Sequence, residues 1–585
     1  MSCLRFGIID FQALKSEIML KIPYGKSDYK TIVEDEYFYQ DRTNYIQTLE
    51  NWDATYLVYL RPRRFGKSLL ISMLHCYYGV EYQKDFNPLF SNTYIGKNPT
   101  RRANLYKVLR FDFSGIDTVT EQDTYDGFLS NVFKGCENFI NQYKNYFSTE
   151  QKREILSQKK PNEMIKSLLH RVHVQDLKQK VYILIDEYDH FANQLIAFNY
   201  GYFLDIVTQN GYVRTFYEVL KMYTGIGLVE RIFITGVSPV TLDSLTSGFN
   251  ISKNISLTAP FHQMVGFDET EVEQILVGIG MPQADLKKAL EDLRLWYNGY
   301  LFCIDLDKRV YNPSMVFYFA AEYALRKAYP RTLLDSNIAS DYSKIQNLFN
   351  IQGNAEPYSV VLKALLEQGE VSATLTDQFS FKRGFTQDDL VSLLFYMGFL
   401  TIKSEELGTY AFSFPNYVIK KLYADFFLQS IVEKNALPFD NRPVNEGIKD
   451  MARTGNPKTF FEQAQLIVKY FSTRDSAHFN ESTLKAIIIS LLHQQRFYYI
   501  HSEYETDWTY MDVYLETIRG QKTPFEIAME LKYVPKGGKK AIDTLLNAAK
   551  IQLQGYLDTP KFNTRTNLKS FVVVVAGAKL EWRAI

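Results

Sequence analysis

Two groups of residues in this sequence have types and spacing that could do chemistry. The first is the run at 61–68, Arg-Pro-Arg-Arg-Phe-Gly-Lys-Ser, which lies between the apolar run 56–60 and the stretch 69–74, which holds no helix breaker. This pattern predicts a strand, a tight loop and a helix that starts near Lys67. At such a helix start, backbone N–H groups face an anion, the lysine reaches the outer phosphates of a nucleoside triphosphate, and the hydroxyl of Ser68 holds Mg²⁺. The match is partial, because Arg61 stands where the full phosphate-loop pattern has glycine.

The other half of a phosphate site is predicted at Asp186 and Glu187, which end the short apolar run 181–185. In phosphate-loop proteins such an Asp holds the water shell of Mg²⁺ and a following Glu polarises the attacking water. An acidic pair can also simply cap the next helix. Thr235 ends the next strand, 231–236, where such folds carry a sensor of the γ-phosphate, although threonine is common at strand ends.

The nucleotide site predicted from these patterns has ligands on both strands. Ser68 and Asp186 are its expected Mg²⁺ ligands, and Glu187 is its expected catalytic residue. Arg63 and Arg64 either reach the phosphates or are solvated loop charges. The residues expected to bind ATP are Arg63, Arg64, Phe65, Gly66, Lys67, Ser68, Leu69, Asp186 and Thr235.

The second group lies in the run 525–532, where every second residue is apolar: Phe525, Ile527, Met529 and Leu531. This alternation predicts a strand with Glu530 and Lys532 together on its other face. Asp512 opposes the apolar face of an earlier strand, 511–515, in the same way. A turn near 519–521 would join the two strands in a hairpin, and Asp512 would then lie close to the level of residues 528–530.

Two carboxylates and a lysine on one face can bind Mg²⁺ and position a water for attack on a phosphodiester. Glu503, on the preceding segment, could add a third acid, so the expected metal ligands here are Glu503, Asp512 and Glu530. Gln552 and Tyr556 are four apart on a following helix and share a face. The pattern Glu-x-Lys also arises often from ordinary edge-strand salt bridges. The expected catalytic residues are Glu503, Asp512, Glu530, Lys532 and Gln552.

The elements that would carry the first site form an α/β unit. Strands at 56–60, 108–113, 181–187 and 231–236 alternate with helical stretches, including 124–145 and 149–173, which indicates a parallel sheet. After Pro260 the pattern becomes mostly helical, with helix-start signals at Asp268 and at Asn312-Pro313. Residues 386–429 are predicted as a helix, two short strands (399–402 and 410–414) and a helix. They form either a winged-helix-like or lid module or a helical linker without chemistry of its own.

A second α/β unit is predicted from about residue 456. It has helices at 458–472 and 482–494, two strands within 510–533, a glycine-lysine turn at 537–540, a helix to about 557 and a final strand at 571–576. The expected organisation is an extension (1–21), a phosphate-loop ATPase domain (22–265), a helical or winged-helix-like region (266–450) and a restriction-endonuclease-like α/β domain (451–585).

Composition narrows the classes of protein. The 585 residues carry 66 basic and 66 acidic side chains, so there is no global basic field and contact with nucleic acid must use a local patch. The four cysteines are far apart, which argues for a reducing compartment and against disulfides or a cysteine zinc site. No apolar run approaches the ~20 residues of a membrane span, and no signal peptide is evident. The expected location is therefore the cytoplasm, without a membrane partner.

The motifs together resemble the proteins that join an AAA-ATPase-like domain to a C-terminal PD-(D/E)XK nuclease-like domain. The resemblance runs from about residue 22 onward and includes Pro23-Tyr24-Gly25, the motifs at 39–43, 61–68, 184–189, 235–239, 297–300, 311–313 and 415–416, and finally 502–504, Asp512 and 530–532. In that family the arginine-rich loop is usual. The family commonly has Gly-Arg two residues before the motif Asp, whereas this chain has Tyr510-Met511.

The resemblance implies that Lys67 and Ser68 bind ATP–Mg²⁺, that Asp186 and Glu187 serve hydrolysis, and that the carboxylate–lysine group is the nuclease-like centre, supported by Gln552 and Tyr556. It implies Mg²⁺, or Mn²⁺ at the nuclease site, as cofactor, nucleic acid and preferably DNA as partner, and it is compatible with homo-oligomers. The expected function is an ATP-dependent nuclease, used in nucleic-acid processing or defence against foreign DNA. The alternatives are a nucleotide-switched regulatory protein with an inactive nuclease fold, and a phosphotransferase.

Overall fold

The N-terminal part of the chain forms the first sheet, in which all paired strands are parallel. The structure, a computed structural model, describes residues 19–175, 179–208, 210–240, 250–335, 337–338, 361–362, 364–366, 368–377, 379, 386–434, 439–474, 480–495, 497–506, 509–518, 523–534 and 542–585. The sheet has the order β2-β3-β4-β1-β5. Its strands are β1 Tyr56–Leu60, β2 Lys107–Asp112, β3 Val181–Asp186, β4 Val229–Gly236 and β5 Lys253–Asn254. The predicted parallel α/β sheet is confirmed.

Helices connect these strands. They are α1 Tyr29–Glu34, α2 Asn44–Asn51, α3 Lys67–Tyr78, α4 Phe86–Phe90, α5 Tyr94–Lys97, α6 Glu121–Gln142, α7 Thr149–Leu156, α8 Pro161–Val174, α9 His190–Phe198, α10 Tyr200–Val207 and α11 Tyr212–Gly225. The single helix predicted at 149–173 was wrong, because α7 ends before Ser157 and α8 restarts with Pro161 at its first position. Helix α6 begins at Glu121, earlier than predicted, because the Thr120 side chain accepts a hydrogen bond from the Asp123 backbone N–H.

The strand order brings the predicted phosphate-site residues to one edge of the sheet. All six residues of β3 are buried, as a strand with both faces covered must be. Strand β4 lies between β1 and β3. Because carboxyl ends of parallel strands meet at the same edge, the loop after β1, the acids that end β3 and Thr235 on β4 converge there.

The middle region, residues 266–454, lies between the elements of the two larger sheets and is mostly helical. Its helices are α12 Glu269–Gly278, α13 Gln283–Tyr297, α14 Pro313–Arg326, α15 Gln387–Tyr396, α16 Tyr417–Lys434 and α17 Asn441–Thr454. A small antiparallel sheet of order β6-β8-β7 accompanies them, formed by β6 Glu370–Ala373, β7 Thr401–Glu406 and β8 Thr409–Ser413. The predicted order of helix, two strands and helix is confirmed, and β6 is an additional strand. Asp268 and Asn312 cap α12 and α14 as predicted.

The C-terminal part forms a second sheet of order β13-β12-β11-β10-β9, in which only β11 and β12 pair in parallel. Its elements are α18 Lys458–Arg474, α19 Glu481–Leu492, β9 Tyr498–Thr506, β10 Thr509–Thr517, β11 Glu526–Val534, α20 Ile542–Leu557, β12 Leu568–Ala576 and β13 Lys579–Ala584. Two predictions were incomplete. The two strands predicted within 510–533 are present as β10 and β11, but β9 precedes them as an additional strand, and β12 is followed by β13 after a turn at Gly577, whose φ is 60°. The predicted turns at 519–521 and 537–540 lie outside the described residues.

Two general expectations can be compared with the described residues. None of the helices in that part of the chain has the length and apolarity that a membrane crossing needs. Cys76, Cys136 and Cys303 are buried free thiols, which agrees with the expectation that these cysteines form no disulfide framework.

Candidate functional sites

The loop after β1 has the backbone of an anion cradle. Gly66 caps α3 with a φ of 96°, a left-handed conformation that glycine adopts without strain. Helix α3 starts at Lys67, so its first backbone N–H groups have no acceptor within the helix and are available at the loop. A phosphate placed there would also meet the positive end of the helix.

Lys67 and Glu187 form a buried ion pair across this cradle. The Lys67 Nζ lies 3.2 Å from Glu187 Oε1, and the two side chains are 2% and 17% exposed. The same Nζ donates to the carbonyl oxygen of Pro62 at 3.2 Å. Burial alone would raise the pKa of Glu187, but the positive charges of Lys67, His190 and Arg63 outweigh it and lower that pKa. Glu187 is therefore held as a carboxylate beside the lysine.

Asp186 lies next to this pair and is bound by two hydroxyl groups. The Thr235 hydroxyl donates to Asp186 Oδ1 at 2.7 Å. Burial and the neighbouring Glu187 raise the pKa of Asp186, whereas hydrogen bonds from Thr235 and Ser68 lower it, and the net shift is upward. The serine of the loop and the acid of β3 therefore meet, and their oxygens are the kind of ligand that Mg²⁺ prefers.

The arginines of the loop have different surroundings. Arg61 points away from the cradle: its guanidinium is 1% exposed and donates to the carbonyl oxygens of Leu60, Ser256, Phe261 and His262. Arg63 reaches across the loop, with Nη2 3.3 Å from His190 Nδ1. The carbonyl oxygen of Arg64 accepts a hydrogen bond from Ser314 at 3.0 Å. Arg63 lies close enough to Glu187 for its charge to act on that carboxylate, and Arg64 lines the cavity over the cradle.

A cavity of about 250 Å³ opens over the cradle. Besides loop residues, Leu69 and Glu187, it is lined by segments that are far apart in the sequence, at 23–27, 38–42, 264–267 and 313–317. Arg42 joins two of these walls through paired hydrogen bonds of 2.6 and 2.7 Å to Glu271 and a third to the Gly266 carbonyl. The cavity has room and polar groups for a nucleoside beyond its phosphates.

Sequence reasoning did not assign these cavity walls. Pro23 and Gln40 belong to motifs that carried the family resemblance, but no role followed from them. A further signal in the sequence is the density of aromatic residues around Phe38 and Tyr39. Their meeting with Phe317 depends on folding across more than 200 positions.

The carboxylate–lysine centre lies where β10 and β11 pair. Val513 is opposite Met529, so Asp512 lies near the level of Glu530, as the hairpin prediction required. Asp512 Oδ2 accepts the Leu531 backbone N–H at 2.8 Å. Its other oxygen, Oδ1, lies 3.3 Å from the Nζ of Lys485 on α19. Both oxygens of this carboxylate are therefore engaged by protein groups.

Glu530 is the most buried acid of the centre, at 1% exposure. Its Oε1 accepts the Lys532 ammonium at 2.8 Å, but its buried Oε2 has no hydrogen-bond partner among the residues that the structure describes. Burial and the negative charge of Asp512 raise the pKa of Glu530 to about 7, and Lys532 opposes that rise. A buried carboxylate oxygen without a partner is costly, and a bound cation would satisfy it.

Helix α19 contributes two residues that sequence reasoning missed. Lys485 contacts Asp512, and Glu481 lies 3.8 Å from the Lys532 ammonium while it accepts the Tyr533 backbone N–H at 3.2 Å. Their spacing of four residues is a signal, but it is equally typical of an exposed helical ion pair. On α20, Gln552 donates to the hydroxyl of Tyr556 at 2.5 Å.

Glu503 belongs to β9, whose neighbouring residues Ser502 and Tyr504 pair with Val513 and Met511. Residue 503 thus lies opposite Asp512, but its side chain is outside the described part of the structure. Among the side chains that are described, no cluster of three or more His, Cys, Asp or Glu is arranged to hold a metal. The described donors nevertheless suit Mg²⁺ or Mn²⁺, because they are carboxylate oxygens and one of them, Glu530 Oε2, is buried with no hydrogen-bond partner among the described side chains.

Fold and sites together define a protein in which an AAA-ATPase-like domain is joined to a PD-(D/E)XK nuclease-like domain. The family model described as "Predicted AAA-ATPase" matches residues 23–246, and the model of the PD-(D/E)XK nuclease superfamily matches residues 479–583. The family expectation drawn from the motifs is confirmed by these two matches.

A curated relative is similar over part of the chain. It is described as an uncharacterized protein in the vnfD 5' region of Azotobacter chroococcum mcd 1, and it is 27% identical over 300 residues, which make up 50% of each protein. The chain therefore aligns with about half the length of that relative.

Proposed function

We propose that this protein binds and hydrolyses ATP, and that its nucleotide state controls a metal-dependent centre which cleaves nucleic acid. The proposal includes DNA as the favoured substrate, the cytoplasm as the location, assembly into homo-oligomers and a role in defence against foreign DNA. One observation carries the coupling of the two activities: the middle region contacts the phosphate loop at one end and the nuclease-like sheet at the other.

At the phosphate loop, the middle region supports both the backbone and a side chain. Ser314 on α14 donates to the Arg64 carbonyl oxygen at 3.0 Å. Phe65 packs edge-on against Tyr300 and Phe302, with ring centroids 5.0 and 5.5 Å apart. A change in the loop on nucleotide binding would therefore reach α14 and the segment before it.

At the nuclease-like sheet, the same region holds strand β9. The Tyr499 hydroxyl donates to Asp292 on α13 at 3.1 Å and accepts the Trp296 indole N–H at 3.1 Å. Tyr417 on α16 accepts the Ile500 backbone N–H at 3.0 Å. Because β9 pairs with β10, which carries Asp512, these contacts provide a physical route between the sites.

The residues of the ATPase-like site suit a hydrolysis in which the γ-phosphate replaces Glu187 as the partner of Lys67. A γ-phosphate in the cradle would attract Lys67, and Glu187, released from the ion pair, could accept a proton from the attacking water. Ser68 and Asp186 would hold Mg²⁺, which neutralises charge on the phosphates when bound. Thr235 fixes the Asp186 carboxylate, and Arg63 lies where it can approach the transferring group.

In the nuclease-like centre, Asp512 and Glu530 would hold Mg²⁺ or Mn²⁺, which activates water and polarises the phosphodiester when bound. Glu503 is proposed as a third ligand. Lys532 is anchored between Glu530 and Glu481, so its ammonium is oriented to position the attacking water or to stabilise the developing negative charge. Gln552 would support this geometry from α20.

The test is an incubation with DNA and with RNA, in Mg²⁺ or Mn²⁺, with and without ATP, for the wild type and for the Glu530→Ala and Lys67→Ala variants. We expect cleavage that is lost in Glu530→Ala and that loses its ATP dependence in Lys67→Ala. Intact substrate under every condition, with ATP still hydrolysed, would instead support a regulatory protein with an inactive nuclease fold. A phosphorylated acceptor would point to a phosphotransferase.

A further inference from the structure

Lys485 occupies an unusual position for a lysine. Its side chain is 7% exposed, and its Nζ lies 3.3 Å from Asp512 Oδ1. A lysine ammonium is expensive to bury unless a carboxylate compensates it, so this pair is built into the domain rather than formed by chance at its surface. The other Asp512 oxygen is already bound by the Leu531 N–H. Oδ1 is therefore the oxygen that a ligand would have to share with or take from Lys485.

The two lysines of the centre have different partners. Lys532 lies between two acids, Glu530 and Glu481. Lys485 lies within electrostatic range of a second buried lysine, Lys420, which donates to Ser502 on β9 at 3.0 Å. Positive charge from α19 and from the middle region thus accumulates beside Asp512, where it opposes a metal ion and favours a phosphate.

We propose that Lys485 is a positioning residue of the nuclease-like centre, which holds Asp512 Oδ1 in the absence of a divalent cation and, once a cation takes that oxygen, becomes available to a phosphate group of the substrate. This inference rests on the proposed function. It makes Lys485 a competitor of the metal and a partner of the nucleic acid, so its removal should change the two affinities in opposite directions.

The test measures Mn²⁺ binding by titration calorimetry without nucleotide or nucleic acid. The signal of this centre is the part that is lost in Glu530→Ala. In Lys485→Met we expect Mn²⁺ to bind about tenfold more tightly, because a competing positive charge is gone. Binding of a DNA duplex in Ca²⁺, measured by fluorescence anisotropy, should weaken by about tenfold, because a phosphate partner is gone. Lys485→Arg keeps the charge and should restore both values toward those of the wild type.

The matched control is Lys579→Met, which removes another carboxylate-paired lysine, 70% exposed, from β13 at the opposite side of the sheet. It should leave both affinities unchanged. Thermal unfolding reports whether each variant is folded, and Lys485→Gln serves if the methionine variant is not.

A lysine with a merely structural role would give Mn²⁺ binding that is unchanged or weaker in a folded Lys485→Met protein, and that result overturns the inference alone. A wild type without any Glu530-dependent Mn²⁺ binding overturns the nuclease part of the proposed function and the inference with it.

Discussion

Each of the two candidate sites contains an internal ion pair, but the residue expected to bind a ligand is a cation in one pair and an anion in the other. In the ATPase-like site, Lys67 is the residue proposed to bind phosphate oxygens, and its Nζ is paired with Glu187 at 3.2 Å. In the nuclease-like site, Asp512 is a carboxylate proposed to bind a cation, and its Oδ1 is paired with Lys485 at 3.3 Å. Each internal ion pair compensates a buried charge, and under the proposed function the ligand would take over that compensation when it binds.

The sites differ in how their backbones are built. The phosphate cradle uses the carboxyl ends of parallel strands and the start of a helix, and it opens into a cavity whose walls come from distant segments. The nuclease-like centre uses adjacent antiparallel strands, one of which donates a backbone N–H to the Asp512 carboxylate. The first site is therefore suited to enclose a whole small ligand, and the second to present charge to a long polymer.

The largest effect is expected where the comparison depends on a single cation. Lys67→Ala removes the ammonium group that is paired with Glu187 and is proposed to bind the phosphates instead when ATP is present. ATP hydrolysis should therefore fall on the order of 100- to 1,000-fold. Steady-state phosphate release measures this. Metal-dependent cleavage should persist at its level without ATP. If cleavage without ATP disappears as well, the two sites are not separate.

Arg61→Met tests whether the loop arginine is structural. The buried guanidinium donates to carbonyl oxygens at 256, 261 and 262, so its removal should lower the free energy of unfolding by about 3 kcal/mol. Denaturant unfolding measures this. Arg63→Met is the matched control in the same loop: it should reduce ATP turnover and leave stability nearly unchanged. Equal stability of the two variants would contradict the assignment.

Glu530→Gln tests the nuclease-like side with an isosteric change. Loss of the carboxylate charge should reduce cleavage by roughly 100-fold, in the range that metal-site substitutions produce. ATP hydrolysis should be unaffected, because none of the contacts described for Glu530 involves the phosphate cradle. A gel assay run beside a phosphate-release assay gives both values. Full cleavage by this variant would remove Glu530 from the centre.

The smallest effect is expected at the connection between the sites. Tyr499→Phe removes the hydroxyl that joins Asp292 to Trp296, so stability should fall by about 1 kcal/mol. The ratio of cleavage with and without ATP should move toward one. Tyr146→Phe, at an exposed tyrosine, is the control. An unchanged ratio in a folded Tyr499→Phe protein would show that coupling does not use this contact.

The sequence allowed prediction of those features that depend on local order. The loop, the acids that end β3 and the alternation around Glu530 each lie within a few residues, so periodicity and strand ends reveal them. The capping signals at Asp268 and Asn312 are local in the same sense. The division of 149–173 into two helices was missed, although Pro161 carried the signal.

Features that depend on distant partners could not be predicted. The inward direction of Arg61 depends on carbonyl groups about 200 positions away, and nothing near the loop indicates them. Lys485 meets Asp512 only because α19 packs against the second sheet, and its sequence is that of an ordinary buried helix, mostly apolar after its first turn. The roles assigned to Glu503, Gln552 and the other site residues stay predictions until the variants are measured.

The position of strand β9 determines whether the nuclease-like domain can be separated from the rest of the chain as a fragment. Strand β9 is the outermost strand of its sheet, and its free edge is covered by the middle region: Tyr417 receives the Ile500 N–H and donates to the Tyr498 carbonyl. A fragment that starts after residue 455 would expose this row of backbone groups to water and to other copies. An uncovered edge strand can pair with the same strand of another molecule, so the isolated nuclease-like domain should aggregate. In the whole protein the middle region covers this edge and thereby prevents such pairing.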